Sequence, residues 1–335
     1  MKISVLIPSY NAGRTIEEAL ASVFAQAVQP DEILVLNDGS SDDTLARLEK
    51  YQDRVLVLSQ KNSGVARARN RLVQAARGEM LAFLDSDDVW HARYLETQRR
   101  ILQKYPEVVA SFTGHLDFSN DGMPDWNDVR VDDEMEPAIY ASVPFLYAYN
   151  TATGSFGSPS FCCIRKSALE KIPGELIHPE MNGTDDVYLF HRLALRGPVA
   201  RLATKLVAYR LTKGSLSANR LANNGLCVRA FELLEAEYKR EAAPELKRAF
   251  RIGFSAKRRV YARTLLGVGK VGEARRQLRH SLLNCWNPKS AVKSLGLLLL
   301  SLAPKRLQPS WPSSERTVNH VRNQTAMTKQ VPSTK

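Results

Sequence analysis

The chain has 335 residues, 44% hydrophobic and 24% charged, which excludes a disordered or fibrous protein and predicts one large globular domain with an appendage, or two domains. Its net charge of +12 is uneven: Arg220 to Lys335 holds 23 basic and 7 acidic residues, a charge of +16, whereas the preceding residues hold 24 and 28, a charge of −4. A near-neutral body with a basic tail points to an anionic partner for the tail, either a membrane surface or a nucleic acid.

Met1-Lys2 leads straight into the strand pattern "ISVLIP", so no signal peptide is expected. "AGRTIEEALASVFAQ" follows with Ile16, Leu20, Val23 and Phe24 at helical spacing. "DEILVLND" reads as a second strand, "SSDDTLARLEKY" as a helix opened by capping residues, and "RVLVLSQ" as a third strand. "NSGVARARNRLVQAARG" is a third helix ending at Gly78, and "EMLAFLD" a fourth strand. This alternation predicts an α/β fold whose mostly parallel, Rossmann-like sheet carries helices on both faces.

Ligands of such sheets bind outside the carboxyl ends of the strands. Those ends read Pro8-Ser9-Tyr10-Asn11, Asn37-Asp38-Gly39-Ser40, Gln60-Lys61-Asn62 and Asp85-Ser86-Asp87. All are polar, and turn chemistry alone does not require the three acids of "LDSDD". Packed carboxylates repel unless solvated or neutralised by a cation. Neither a G-x-G-x-x-G turn after the first strand nor a G-x-x-x-x-G-K-[ST] loop is present. A diphosphate is therefore expected to be held through a divalent cation, Mn²⁺ or Mg²⁺, on hard carboxylate oxygens.

Together, "SVLIPSYNAGRTIEEALASVFAQ", "DEILVLNDGSSDDT", "NSGVARARNRLVQAARGEMLAFLDSDD" and "TDDVYLFHRLALRG" resemble the ordered motifs of bacterial glycosyltransferase family 2 enzymes with a GT-A fold. The resemblance covers roughly residues 1 to 217. It implies transfer of a sugar from a nucleotide-diphosphate donor with inversion at the anomeric carbon. Pro8 and Tyr10 would line the base and ribose pocket with Asn62, and Asp38 would accept the N3–H of a uracil or thymine, favouring a UDP- or dTDP-sugar. Asn37 departs from the family's usual acid at its position. Arg69 would lie near the nucleotide; its bland reading is a solvated helix face. Asp85-Ser86-Asp87 matches the D-x-D motif, with Asp85 and Ser86 toward the nucleotide and Asp87, assisted by Asp85, ligating the metal.

"SFCCIRKSALEKI" resembles the strand and turn beside the acceptor, and helical spacing puts Asp185 and Asp186 in the first turn of the next helix, where the dipole favours acids. Inverting transfer needs a base for the acceptor hydroxyl; the family's acidic pair aligns here, making Asp186 the base and Asp185 its support. Where family members often carry an Arg-x-His, "YRLTKGSLS" has Thr212, so no histidine joins the metal set; Arg210 and Lys213 are left to neutralise the diphosphate. The scattered histidines His91, His115, His178 and His191 are expected to be structural or superficial, and Trp90 either covers the donor or anchors a helix. "DFSNDGMPDWNDVRVDDEMEP" reads as a surface loop bordering the acceptor. Processive synthases' Q-x-x-R-W is absent, so one sugar per acceptor visit is expected, in surface polysaccharide or glycolipid assembly on a glycan or lipid-linked acceptor.

Residues 1–220 are thus expected to form the catalytic domain, 221–307 a helical region and 308–335 a disordered tail. "YARTLLGVGKVGEARRQLRHSLL" resembles one tetratricopeptide-like unit. "AVKSLGLLLLSLAPKRL", flanked by Lys289, Lys293, Lys305 and Arg306, is too short to span a bilayer and fits a helix lying in the membrane interface; its bland reading is a buried closing helix. The expected location is cytoplasmic, with peripheral contact at the inner face of the cell membrane. Cys162, Cys163, Cys227 and Cys285 lack metal-ligand spacing and read as reduced thiols, the adjacent pair pointing to opposite faces of a strand. A nucleic-acid partner is not expected, since no zinc finger or RNA-recognition motif accompanies the basic tail. A non-catalytic sugar-nucleotide-binding or scaffold protein is the rival; the glycine-rich first loop of a sugar-1-phosphate nucleotidyltransferase is missing from this sequence.

Overall fold

The computed structural model describes residues 1–302 except 120–123, 128, 133, 152–155, 213–218, 284 and 286–287. The first elements follow the expected order: β1 (Ile3–Ser9), α1 (Ile16–Phe24), β2 (Glu32–Asn37), α2 (Thr44–Glu49), β3 (Leu56–Ser59), α3 (Val65–Ala75) and β4 (Met80–Phe83). β1 pairs in parallel with β2 and β4, and β2 with β3. After them come β5 (Val89–Trp90), α4 (Tyr94–Lys104), β6 (Ala110–Phe118), β7 (Ala138–Tyr140), α5 (Ser142–Thr151), β8 (Cys162–Arg165), α6 (Lys166–Leu169), α7 (Asp185–Ala194) and β9 (Val199–Arg210). The sheet runs β3-β2-β1-β4-β8-β6-β9-β5, with β7 also on β9. β8 is antiparallel to both β4 and β6, so the parallel sheet becomes mixed beyond β4.

Strand alternation builds a core on each face. Ile3, Val5, Ile7, Val35 and Cys163 pack with α1 and α4 through Ile16, Leu20, Tyr94 and Leu102. Leu6, Leu34, Leu36, Phe83 and Cys162 pack on the other face with α3, α5 and α7 through Leu72, Phe145 and Phe190. Cys162 and Cys163 thus take opposite faces as expected, and both are free thiols. Asp117 and Phe118 belong to β6 rather than to the expected surface loop.

The helical region consists of α8 (Arg220–Glu241), α9 (Pro244–Gly267), α10 (Val271–Leu283) and α11 (Pro288–Leu302). α9 and α10 are joined by a short turn at Gly269, with φ +78°. The residue range around the expected boundary at 220 includes 213–218, and those residues, like the expected tail at 308–335, lie outside the described residues. Val228, Phe231, Leu234, Tyr238 and Phe250 join the same hydrophobic cluster as the sheet and α7. The back of α7 is also bonded to α8: Tyr238 Oη donates to the His191 carbonyl at 2.8 Å, and Arg192 and Arg196 meet Glu237 at 2.9 and 3.1 Å.

Phe231 is fully buried, with its ring 4.5 Å from that of His191 and 5.2 Å from that of Phe254. Phe231→Ala is expected to remove about 3–5 kcal/mol of stability. Because α8 shares the sheet's core, urea transitions followed by tryptophan fluorescence and by circular dichroism should shift together; a shift confined to a separate helical transition would show that the two regions unfold independently.

Candidate active site

The loops after β1 and β2 are locked together. Asn11 adopts the left-handed φ of +49°, which asparagine tolerates; its N–H donates to Ser40 Oγ at 2.9 Å and its Oδ1 accepts the Ser41 N–H at 2.8 Å. Asn37 Oδ1 accepts the Ser40 N–H at 3.0 Å, closing the turn after β2. Pro8 is buried in β1, whereas the Tyr10 ring is 52% exposed, an aromatic surface at the strand end.

Asp38 is only 3% exposed, and its carboxylate accepts from Gln60 Nε2 at 2.7 Å and the N–H groups of Ser63 and Gly64 at 2.9 and 2.8 Å. These bonds fold the loop after β3 onto the start of α3, where Gly64 has φ +88°. Of roughly four lone-pair positions on a carboxylate, one is left for a ligand. Asn62 is exposed, and its backbone N–H lies against Gly39, where a Cβ would come within 2.7 Å of the nitrogen.

The acidic turn after β4 is held from both sides. Asp85 N–H donates to Ser160 Oγ at 2.9 Å, Ser158 Oγ donates to Asp85 Oδ2 at 2.8 Å, and Arg69 pairs with the other carboxylate oxygen. Asp88 is wholly buried; its N–H donates to the Asp85 carbonyl at 3.0 Å and its carboxylate accepts the Arg210 N–H at 3.0 Å. Arg210, expected at the diphosphate, is instead 7% exposed and engaged within the protein: its Nε donates to the Asp87 carbonyl at 2.8 Å, and it pairs with Glu18. It clamps the turn. Lys213 lies outside the described residues. Ser86 and Asp87 form the half-buried tip, where burial first and then the Asp85 charge push the Asp87 carboxyl up to about 6.

Among the described residues no group of three or more His, Cys, Asp and Glu side chains is arranged to hold a metal ion. Two carboxylates at a turn, one of them reluctant to ionise beside its neighbour, nevertheless suit Mg²⁺ or Mn²⁺, which typically take one or two protein carboxylates and complete their shell with substrate phosphates and water. Asp88, with its Oδ2 buried, is held well above the usual carboxylate range by burial and then by the charges of Asp87 and Asp85.

Arg69 carries the turn across to α7. Its guanidinium, 4% exposed, pairs with Asp85 and with Asp185 in the first turn of that helix. It is therefore no solvated surface cation. Burial raises the Asp185 carboxyl against the pull of Arg69. Asp186 is pushed up to about 6 by burial and by the neighbouring Asp185. Tyr149 Oη, on α5, donates to Asp186 Oδ2 at 3.2 Å, and burial followed by the Asp186 charge keeps that phenol protonated. The arrangement presents a carboxyl group that ionises near neutrality, already fitted with a hydrogen-bond donor.

Sequence reasoning missed Tyr149, Ser158, Ser160 and Glu18. Ser158-Pro159-Ser160 carries a turn signal, but nothing local to it names Asp85 as the partner. Tyr149 had no signal, because its partner lies 37 positions away. Trp90 is buried, donating its Nε1–H to the Ser160 carbonyl at 2.9 Å, so it anchors the site rather than covering a donor. His191, lowered to about 3 by burial and bonded through Nδ1 to the Val187 carbonyl at 2.7 Å, is structural as expected.

A family model described as Glycosyl transferase family 2 matches residues 4–172. TuaG of Bacillus subtilis (strain 168), provisionally named a teichuronic acid biosynthesis glycosyltransferase, is 30% identical over 226 residues, 65% of this chain and 82% of its own. S. aureus TarS 1–349 in complex with UDP-GlcNAc superposes with a TM-score of 0.65 at 15% identity, covering 90% of each chain. The mannosyltransferase PcManGT from Pyrobaculum calidifontis, in complex with GDP-Man and Mn²⁺, gives 0.56 at 20% identity over 91% of this chain and 81% of that one. The fold is the GT-A arrangement these structures share.

Arg69→Met leaves Asp85 and Asp185 unpaired and is expected to lower the unfolding free energy by about 3–5 kcal/mol, whereas Arg69→Lys, which keeps the charge without the two-sided fork, should fall between. Equal denaturation midpoints for all three proteins would remove Arg69 from this role. Asp186 also makes a signed prediction. Its fold-raised pKa contributes stability that is full below about pH 4 and lost as pH rises through about 6. Relative to wild type, metal-free Asp186→Asn should therefore gain up to about 3 kcal/mol between pH 4 and pH 7, measured by urea unfolding at each pH.

Proposed function

Because the chain belongs to glycosyl transferase family 2 and is a glycosyltransferase, we propose that it moves a single sugar from a UDP- or dTDP-sugar to a hydroxyl of a glycan or lipid-linked glycan, with inversion, in surface polysaccharide or glycolipid assembly. The observation that carries this reading is the Arg69 bridge, which ties a strand-end acidic turn suited to a nucleotide diphosphate to a helix-borne acid pair suited to a hydroxyl. The teichuronic acid role in TuaG's name supports the choice of pathway class. The nucleotides in the two structural neighbours differ, UDP-GlcNAc in one and GDP-Man in the other, so the preference for a pyrimidine rests on Asp38 and the narrow loop it organises.

In this mechanism the donor base lies over Tyr10, with Pro8, Asp38 and Asn62 shaping its pocket, and Asp85 and Ser86 face the ribose. Asp87, with Asp85, would hold a Mn²⁺ or Mg²⁺ ion, which when bound neutralises charge on the departing diphosphate. Arg69 pairs with Asp85 and aligns it. Asp186 takes the proton of the acceptor hydroxyl as that oxygen bonds to the anomeric carbon and the bond to the diphosphate breaks on the opposite side. Tyr149 steadies the ionised form of Asp186, and Asp185, held by Arg69, fixes the start of α7.

Calorimetric titration with UDP, dTDP and GDP, each with Mn²⁺ and with EDTA, tests the donor assignment. Metal-dependent binding of UDP or dTDP in preference to GDP is expected, and Asp87→Ala should weaken it. Asp186→Asn should keep nucleotide binding while transfer falls about 10²–10⁴-fold. Wild-type transfer by Asp186→Asn would remove the base assignment, and preference for GDP would remove the pyrimidine one.

A further inference from the structure

α11 is built inside out. Its buried positions include Ser290, Ser294 and Ser301, while Val292, Leu295, Leu299 and Leu302 are 69%, 44%, 58% and 59% exposed. The exposed residues recur at i, i+3, i+7 and i+10, one continuous face of the helix. The serine face is bonded to its neighbours: Ser294 Oγ and Ser281 Oγ are 2.9 Å apart, Arg259 Nη2 donates to Ser290 Oγ at 3.4 Å, and Arg275 Nη2 donates to the Ser301 carbonyl at 2.7 Å. Leu297 and Leu298 flank that seam against Leu265 and Leu278. A helix that merely closed a core would bury its leucines and expose its serines. Here hydroxyls and arginines hold the protein side, leaving the larger side chains in water.

Charge identifies what covers this face. Between Glu273 and Glu315 the chain has no acidic residue, but it has Arg275, Arg276, Arg279, Lys289, Lys293, Lys305 and Arg306. Arg276, Arg279, Lys289 and Lys293 are exposed on α10 and α11. Lys289 and Lys293, four residues apart, follow the helical ridge that continues to Leu300, along the margin of the apolar face. A second copy of the chain would bring the same positive charge against this region, whereas a surface of anionic headgroups over acyl chains complements both the lysines and the leucines. Among the described residues no helix is long and apolar enough to cross a membrane, and α11, with 15 residues, is about 22 Å long, short of the hydrocarbon thickness.

We propose that α11 docks the protein on an anionic bilayer, its Val292, Leu295, Leu299 and Leu302 face lying in the headgroup region and Lys289 and Lys293 meeting lipid phosphates. The serine and arginine seam makes the apolar face available without dismantling the helical region. The docking is a property of α11, independent of sugar transfer.

Cosedimentation of the full chain with phosphatidylcholine vesicles, with and without 30 mol% phosphatidylglycerol (roughly the anionic regime of charge-dependent binding), tests it. Binding to the anionic vesicles, weakened by salt, is expected, and Lys289→Glu/Lys293→Glu should weaken it at least about 25-fold, from roughly fivefold per lysine. Val292→Ser/Leu295→Ser/Leu299→Ser should abolish it, with the thermal transition and nucleotide titration unchanged because these side chains already face solvent. Equal binding by the triple-serine variant, no binding by wild type, or light scattering showing a dimer that this variant dissolves would overturn the proposal, the last by assigning the face to a second copy.

Discussion

The site rests on one buried cation shared by two acids. Arg69 lies 16 positions from Asp85 and 116 from Asp185, so a single guanidinium joins the end of a strand to the start of a distant helix. Burying such a charge is costly, and only two well-placed carboxylates make the position tenable. The fork geometry matters as much as the charge, since the two acids approach different nitrogens of one plane. Around it, Asp85, Asp87, Asp185 and Asp186 outnumber the nearby cations, and the second cation, Arg210, is also paired with Glu18. The resting site is short of positive charge. Asp87 and Asp186 answer by holding their protons to about pH 6.

The remaining structure keeps these acids where the cation needs them. Ser158 and Ser160 brace Asp85 from the segment entering β8, and Arg210 braces Asp87 and Asp88 from the end of β9. α7 is supported from behind by α8 through Glu237 and Tyr238, so the helical region buttresses the helix that carries the acid pair. Asp38 plays a comparable part at the end of β2. Its oxygens organise the loop after β3 through hydrogen bonds with Gln60, Ser63 and Gly64.

The parallel half of the sheet was legible because its signals are local: alternating apolar strands, helices with a 3.6 period and turn residues at the joins. Asp85, Asp87, Asp185 and Asp186 were legible because acids clustered at the end of an apolar run and in a helix's first turn are conspicuous. The functions of Arg69 and Arg210 were less so. Both are cations on otherwise ordinary patterns, and nothing local distinguishes a guanidinium facing water, as Arg69 was allowed to do, or one facing a diphosphate, as Arg210 was expected to do, from one sealed beneath a turn. The decisive partners, Asp185 for Arg69 and Glu18 for Arg210, come from elsewhere in the chain. α11 was readable as apolar and basic, but its serines gave no warning that they would take the inner face.

The antiparallel insertion of β8 has a consequence for synthesis. β4 and β6 are separated in the finished sheet by a strand contributed by Cys162–Arg165, so until the ribosome has delivered those residues each of the two segments keeps an open edge that the other does not fill. The four parallel strands can assemble early, but their border stays unsealed for some 80 further residues, several seconds at ordinary rates of elongation. Asp185 then emerges after the strands of that seam, so the bridge to Arg69 cannot form until they are already made. During translation the nascent chain is thus a partial sheet with a sticky margin, and the span between β4 and β8 is where chaperone protection is most needed.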